Sequence, residues 1–249
     1  MEKYFNVFLE FDKEQVHETI QNAILNNEKG YVCAIESNNL AVANKNAAFN
    51  KVVNNSLVNV CDGSNIAWLL GKIHRKDFYS YIGNDLFNYF IGLKRYKQYF
   101  IGNTDDILNK LRIELSVLDP KIMDMSFESL PFRTVNDFDY KEIANKINEQ
   151  KPDIIWVSLG APKQEYFMAN LLPYLKKGVL FGVGAAFNFS AKSGPVKRAP
   201  KWMLKFRLEW LYRALEEPRK NIPRYWNFIK ILPSLIYQEN QLLSKRDNT

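Results

Sequence analysis

Apolar residues in this chain fall into short runs, each closed by a polar or glycine-containing turn. Between the runs lie longer stretches whose apolar positions recur three and four residues apart. Runs of the first kind read as buried strands and stretches of the second as amphipathic helices, so their alternation predicts an α/β protein with a mostly parallel sheet. The strand-like runs are Tyr31–Ile35, Leu57–Cys61, Gln98–Ile101, Ile154–Val157 with Leu159 beyond, and Val179–Val183, with a further short strand expected over Lys121–Met125. A short extended piece opens the chain. Helices are expected over Lys13–Asn27 behind Asp12 as N-cap, from Glu36-Ser-Asn-Asn39 through about Val53, over Ser64–Leu70, from Gly83, over Ile107–Leu118, and from Asp139 to Gln150.

The most informative stretch is Lys151–Asn170. A Lys-Pro-Asp turn leads into Ile154, Ile155, Trp156 and Val157, and Gly160-Ala-Pro162 breaks the strand. Proline lacks an N–H and suits a loop or a first helical position. Lys163-Gln-Glu165 then begins a helix at the carboxyl end of a parallel strand, where open α/β sheets bind ligands. The same residues also serve a plain tight turn followed by a solvated first helical turn.

Charge changes the picture at the far end. The chain carries 34 Lys and Arg against 27 Asp and Glu. From Ser190 onward there are 13 cations and 5 anions, which leaves 21 and 22 for the rest. The whole positive excess sits in the last quarter, a pattern that calls for an anionic partner. That segment also holds Trp202, Trp210 and Trp226, with Arg207, Arg213, Arg219, Lys220 and Arg224 interleaved. Basic aromatic helices lie in membrane interfaces, and arginine forks match phosphate oxygens. A helical hairpin packed on the sheet with snorkelling charges is the structural alternative. No apolar run is long enough to span a bilayer, and the N-terminus carries charges in place of an apolar signal region, so no transmembrane helix or signal peptide is expected.

Other candidate chemistry is weaker. Asp62-Gly63 follows a strand and offers a general base, or simply a turn and helix cap. Asp137-Phe-Asp139 matches a metal-binding pattern of sugar-nucleotide enzymes, but Asp139 with Glu142 also reads as a capping box. Gly182-Val-Gly184 lacks the third glycine of a dinucleotide site, since Phe187 stands there. Cys33 and Cys61 read as buried free thiols, and two histidines with two cysteines have no metal-site spacing.

Together, Val157-Ser-Leu-Gly-Ala-Pro-Lys-Gln-Glu165, Gly182-Val-Gly-Ala-Ala-Phe-Asn-Phe189, Val196-Lys-Arg-Ala-Pro200 and Glu209-Trp-Leu-Tyr-Arg213 through Glu217-Pro-Arg219 resemble the WecG/TagA/CpsF family of bacterial glycosyltransferases. Ser37-Asn-Asn39 and Asp62-Gly63 fall where that family has its T-x-N and D-G elements. The resemblance covers nearly the whole chain in the same order. It implies a Rossmann-like α/β core over residues 1–194 and a C-terminal helical appendage over residues 195–249 that meets the cytoplasmic membrane face. It implies inverting transfer of a sugar from a UDP-sugar to a sugar on a polyprenyl diphosphate, in teichoic-acid, common-antigen or capsule synthesis, with no metal and no other cofactor.

Under that resemblance Asp62 matches the general base. Expected substrate contacts are Ser37, Asn39, Gly63, Gly160, Pro162, Lys163, Gln164, Glu165, Gly184 and Asn188 around the donor. Arg198, Arg213, Arg219, Lys220 and Arg224 are expected on the phosphates. The chain departs from the family pattern in places: Ser37 stands where threonine is usual, Asn188 where aspartate is common, and Lys220 and Pro223 where arginine is common. The donor sugar, the acceptor sugar and the oligomeric state stay open, a homo-oligomer included. The competing reading from the basic tail is a nucleic-acid-binding protein, against which the near-neutral α/β core argues. A dehydrogenase is disfavoured by the missing glycine.

Overall fold

The computed structural model describes residues 1–193 and 199–246. The expected boundary between core and appendage, at 194 and 195, and the expected contact Arg198 both lie outside the described residues.

A two-residue turn at Phe5 and Asn6, both with positive φ, closes a small hairpin of β1 (Glu2–Tyr4) and β2 (Val7–Leu9). The order then runs α1 (Lys13–Leu25), β3 (Lys29–Ile35), α2 (Ser37–Lys45), α3 (Ala47–Asn54), β4 (Val58–Cys61), α4 (Ser64–His74), α5 (Gly83–Gly92), β5 (Gln98–Gly102) and α6 (Asp105–Leu118). It continues with β6 (Ser126–Glu128), α7 (Tyr140–Gln150), β7 (Ile154–Ser158), α8 (Lys163–Leu171), β8 (Gly178–Gly182) and α9 (Ala186–Ser190). Three further helices follow: α10 (Lys201–Lys205), α11 (Glu209–Glu216) and α12 (Pro218–Arg246).

Six strands form one parallel sheet in the order β4-β3-β8-β7-β5-β6. This is the α/β, Rossmann-like architecture that the strand and helix patterns predict. Alternate residues of each strand feed two cores. Tyr31, Cys33, Ile35, Ile155 and Val157 pack with α2, α3, α4, α7, α8 and α12. Val32, Ile154, Trp156, Val179 and Phe181 pack with α1, α5, α6 and α9 on the other face. Period-2 alternation thus buries both faces, which is why these strands read as continuous apolar runs.

Adjacent strands β3 and β8 send their following helices to opposite faces, α2 to one and α9 to the other. Such a reversal opens a crevice at the carboxyl ends of the strands. Gly182, the last residue of β8, matters here. A Cβ on it would meet Met168 Cε at 2.8 Å and Gln164 Nε2 at 3.0 Å, so a larger residue here would have to displace the ends of two α8 side chains, Gln164 of the site among them.

Two local expectations are corrected. The helix from Ser37 to Val53 is interrupted at Asn46, whose extended backbone ends α2 and whose side chain accepts from Phe49 N to cap α3. Lys121–Met125 is not a strand: Pro120 starts a single 3₁₀ turn capped by Asp119, and the edge strand begins at Ser126. The caps at Asp12 and Asp139 form as expected, each side chain accepting from helix N–H groups.

α12 is about 43 Å long at 1.5 Å per residue, and it runs along the molecule rather than away from it. Leu235 is buried in the first core, with Phe228, Ile231, Leu232 and Ile236 beside it. Glu239, 3 % exposed, accepts from Phe5 N at 2.8 Å and pairs with His74 Nε2 at 3.0 Å. The last helix is therefore tied to the first hairpin and to α4. Its other side, with α10 and α11, leaves Trp202, Phe206, Trp210, Ile222, Trp226 and Ile229 exposed.

Candidate active site

The carboxyl ends of β3, β4, β7 and β8 carry Ser37, Asn39, Asp62, Lys163, Gln164, Glu165 and Asn188, and the cations Arg213, Arg219, Lys220 and Arg224 lie on α11 and α12. Asp62 follows β4 directly. Its backbone N–H bonds to Ile35 O at 2.9 Å, and its Oδ1 accepts from Gly83 N at 2.9 Å. Burial raises the Asp62 carboxyl to about 6, against the pull of the Gly83 bond and of Arg213, with Glu209 and Glu36 adding to the rise. A carboxylate held there is ionised at neutral pH and yet basic enough to take a proton.

Arg213, on α11, acts on this carboxylate through its charge. It donates from Nη2 and Nε to Glu209 Oε1, at 2.8 and 3.2 Å, and its guanidinium stands 5.7 Å from the Phe189 ring centroid. Burial works against its charge, and Glu209, Asp62 and Tyr225 outweigh that effect. Tyr225 on α12 is pushed up to about 12 by burial first and Glu36 next. Arg224, beside it, donates to Ala161 O at 3.3 Å, so the start of α12 touches the loop after β7. Arg219 and Lys220 are exposed on the first turn of α12, and Lys220 pairs with Glu217.

Below this rim lies a network of amides. Asn39, Gln164 and Glu165 are 1, 4 and 0 % exposed. Asn39 Nδ2 and Gln164 Nε2 both donate to Glu165 Oε1 at 3.1 Å. Gln164 Oε1 accepts from Gly184 N at 3.1 Å, and Asn39 Oδ1 accepts from Glu36 N at 3.4 Å. Ser37 Oγ donates to Glu36 Oε2 at 3.0 Å. Next along, Asn103 Nδ2 bonds both Ser158 Oγ and Asn188 Oδ1, at 3.2 and 3.0 Å, while Ser158 Oγ donates to Gly184 O.

The remaining expected residues are placed as follows. Gly63 caps the N-terminus of α4. Gly160 has φ +74°, which a side chain would strain, and it precedes the cis peptide of Ala161 and Pro162. Lys163 lies over the rings of Phe132 and Phe138, 5.3 and 5.2 Å from their centroids. Asp62 and Arg213 thus form one charged cluster, and Asn39, Gln164, Glu165 and Gly184 one buried network.

Sequence reasoning missed Glu36, Asn103, Glu209 and Tyr225 as members of these groups. Glu209 had a signal, four residues before Arg213 on one helix face. Asn103 and Tyr225 had none, because only the strand order brings in the first and only the packing of α12 the second. Among the described residues no three His, Cys, Asp or Glu side chains converge as metal ligands. Cys33 and Cys61 are buried and free.

Residues 5–247 match the glycosyl transferase WecG/TagA/CpsF family. The chain belongs to that family. Related proteins include N-acetylglucosaminyldiphosphoundecaprenol N-acetyl-beta-D-mannosaminyltransferases from three bacteria. The Bacillus subtilis strain 168 protein is 33 % identical over 153 residues, which cover 57 % of this chain and 56 % of that protein. The Bacillus spizizenii protein is 39 % identical over 92 residues, 35 % of each chain. The Staphylococcus aureus strain MW2 protein is 30 % identical over 142 residues, covering 57 % of this chain and 51 % of that one. The matched segments thus span at most a little over half the length of these relatives. Among the described residues no helix is long and apolar enough to cross a membrane.

Proposed function

We propose that this member of the family transfers an N-acetylmannosamine-type sugar, with inversion, from a UDP-sugar to N-acetylglucosamine on a polyprenyl diphosphate. The observation that carries the reading is the placement of Asp62 and Arg213 at the sheet's carboxyl edge, a basic carboxylate within the electrostatic reach of a half-buried cation. An acceptor hydroxyl attacks the anomeric carbon, the bond to the UDP oxygen breaks, and the hydroxyl proton passes to Asp62. Negative charge develops on the departing diphosphate, and Arg213 and Arg224 supply positive charge for it. The names of the mannosaminyltransferase relatives support the choice of sugar and acceptor.

In this reading the exposed Trp202, Phe206, Trp210, Trp226 and Ile229 rest in the inner face of the cytoplasmic membrane, with Arg207, Arg219 and Lys230 toward its anionic headgroups. That brings the lipid-borne acceptor to the end of β4. The deciding experiment is thermal unfolding with UDP, UDP-N-acetylhexosamines, NADH and a DNA duplex, followed by UDP release with a lipid-linked acceptor. A ligand at about 100 times its Kd contributes roughly 2.7 kcal/mol. Stabilisation by UDP compounds alone is expected. A shift with DNA or NADH and none with UDP would overturn the reading.

A further inference from the structure

The chemistry described above leaves a buried carboxyl beside the site unused. Glu165 is completely buried on the first turn of α8, and its Oε2 has no hydrogen-bond partner. A carboxyl kept in such a place costs stability, so its geometry asks for a reason. The reason is visible in what its other oxygen holds. Oε1 accepts from Asn39 on α2, which follows β3, and from Gln164 next to it. Asn39 in turn holds Glu36 N at the end of β3, and Gln164 holds Gly184 N at the end of β8. One carboxyl oxygen thereby ties the loops that leave β3, β7 and β8, across the crevice where the strand order reverses.

We propose that Glu165 is a positioning residue for the donor site: it fixes the backbone at Glu36 and Gly184, and so the rim groups Ser37 and Asn188, without touching substrate. Each amide in the chain of bonds has its donor and acceptor ends specified by its neighbours, and Glu165 supplies the acceptor that both amides share. The neutral side chain suffices for this. The orphaned Oε2 gains nothing from a negative charge, and burial foremost raises this carboxyl to about 7, the bonds from its own N–H, Gln164 and Asn39 pulling back and Glu36 pushing further.

The inference rests on the donor reading above for its consequence, but the tie itself is tested separately. In the ligand-free protein, hydrogen exchange at the amides of Glu36 and Gly184 should accelerate in Glu165→Leu, at least about tenfold, the scale of one lost buried hydrogen bond. Glu165→Gln should stay within about threefold of the wild type. UDP affinity, read by calorimetry, should follow the same order. Asn39→Asp should weaken UDP binding by setting two acceptors face to face, and the double variant N39D/E165Q should recover it. Should Glu165→Leu fail to fold, the N39D and N39D/E165Q pair decides alone.

Wild-type exchange and affinity in Glu165→Leu would overturn the proposal. So would no recovery in N39D/E165Q, or a folded Glu165→Gln that binds UDP normally yet turns over no substrate, which would make the carboxyl itself part of the chemistry. A wild-type protein that does not bind UDP, with the exchange result intact, would fault the donor reading and not the tie.

Discussion

Gly83 donates its backbone N–H to Asp62 Oδ1 across 21 residues of sequence, and this bond holds the carboxylate at the mouth of β4. It also opposes the burial that raises the group to about 6. Under the proposed chemistry Asp62 must be ionised to accept a proton. The value of kcat/KM should therefore climb with pH through about 6 and level off above it. Asp62→Asn should lose about 10²–10⁴-fold in rate and show no such limb, while still binding UDP. Wild-type rates in that variant would sink the assignment of Asp62 as base.

The same carboxyls set a stability profile of opposite sense. Asp62 and Glu165 are both raised in the folded protein, to about 6 and about 7. The folded state holds their protons more tightly than the unfolded chain, so their contribution is complete below pH 4 and is lost as pH rises through 6 to 7. Asp62→Asn and Glu165→Gln should each exceed the wild type in stability at pH 8, by roughly 1–2 kcal/mol after allowance for partial screening, with the difference closing toward pH 4. Urea unfolding at the two pH values measures this, and a gain at pH 4 alone would contradict it.

Arg213 is proposed to meet the developing diphosphate charge. Loss of one such donor costs about 3–4 kcal/mol, so Arg213→Ala should reduce kcat/KM by on the order of 10²–10³. Arg213→Lys keeps a charge but not the fork, and should recover only part. Steady-state kinetics with the lipid-linked acceptor decides the matter. Equal losses in both variants would point to the fork rather than the charge.

Glu239 is the acceptor for Phe5 N and the partner of His74, all three buried. Glu239→Ala leaves the two donors facing an apolar interior. Unfolding free energy should fall by roughly 2–3 kcal/mol, with the urea midpoint lowered and the slope unchanged. A variant as stable as the wild type would mean that Leu235 and its apolar neighbours alone seat α12.

The exposed tryptophans Trp202 and Trp226 make the membrane proposal accessible. Replacing both by alanine should weaken sedimentation with anionic vesicles and leave UDP binding unchanged. Unaltered vesicle binding would remove those side chains from the contact.

Much of this architecture could be read in the chain, because parallel strands buried on both faces leave unmistakable apolar runs. The caps Asp12 and Asp139 were equally legible, since capping is local chemistry. The break at Asn46 was not, because buried apolar positions recur on both sides of it, at Leu40, Ala43, Phe49 and Val53. Asp62, Gln164 and Glu165 stood out by motif, yet the bonds that give them meaning join residues 21, 20 and 126 apart. Such pairings follow from strand order, which no local pattern encodes. Nor does spacing reveal that Asn39 and Glu165 lie beneath the rim rather than on it.

The tie between Phe5 and Glu239 spans 234 residues. During synthesis the sheet has all its strands once residue 182 has emerged, but its first hairpin still lacks the partner that covers it, and Arg224 has not reached the loop after Gly160. Contacts of that sequence separation form late. A chain stopped after β8 would therefore hold the sheet and Asp62 but neither Arg213 nor Arg224, so the candidate site is incomplete until α11 and α12 are made.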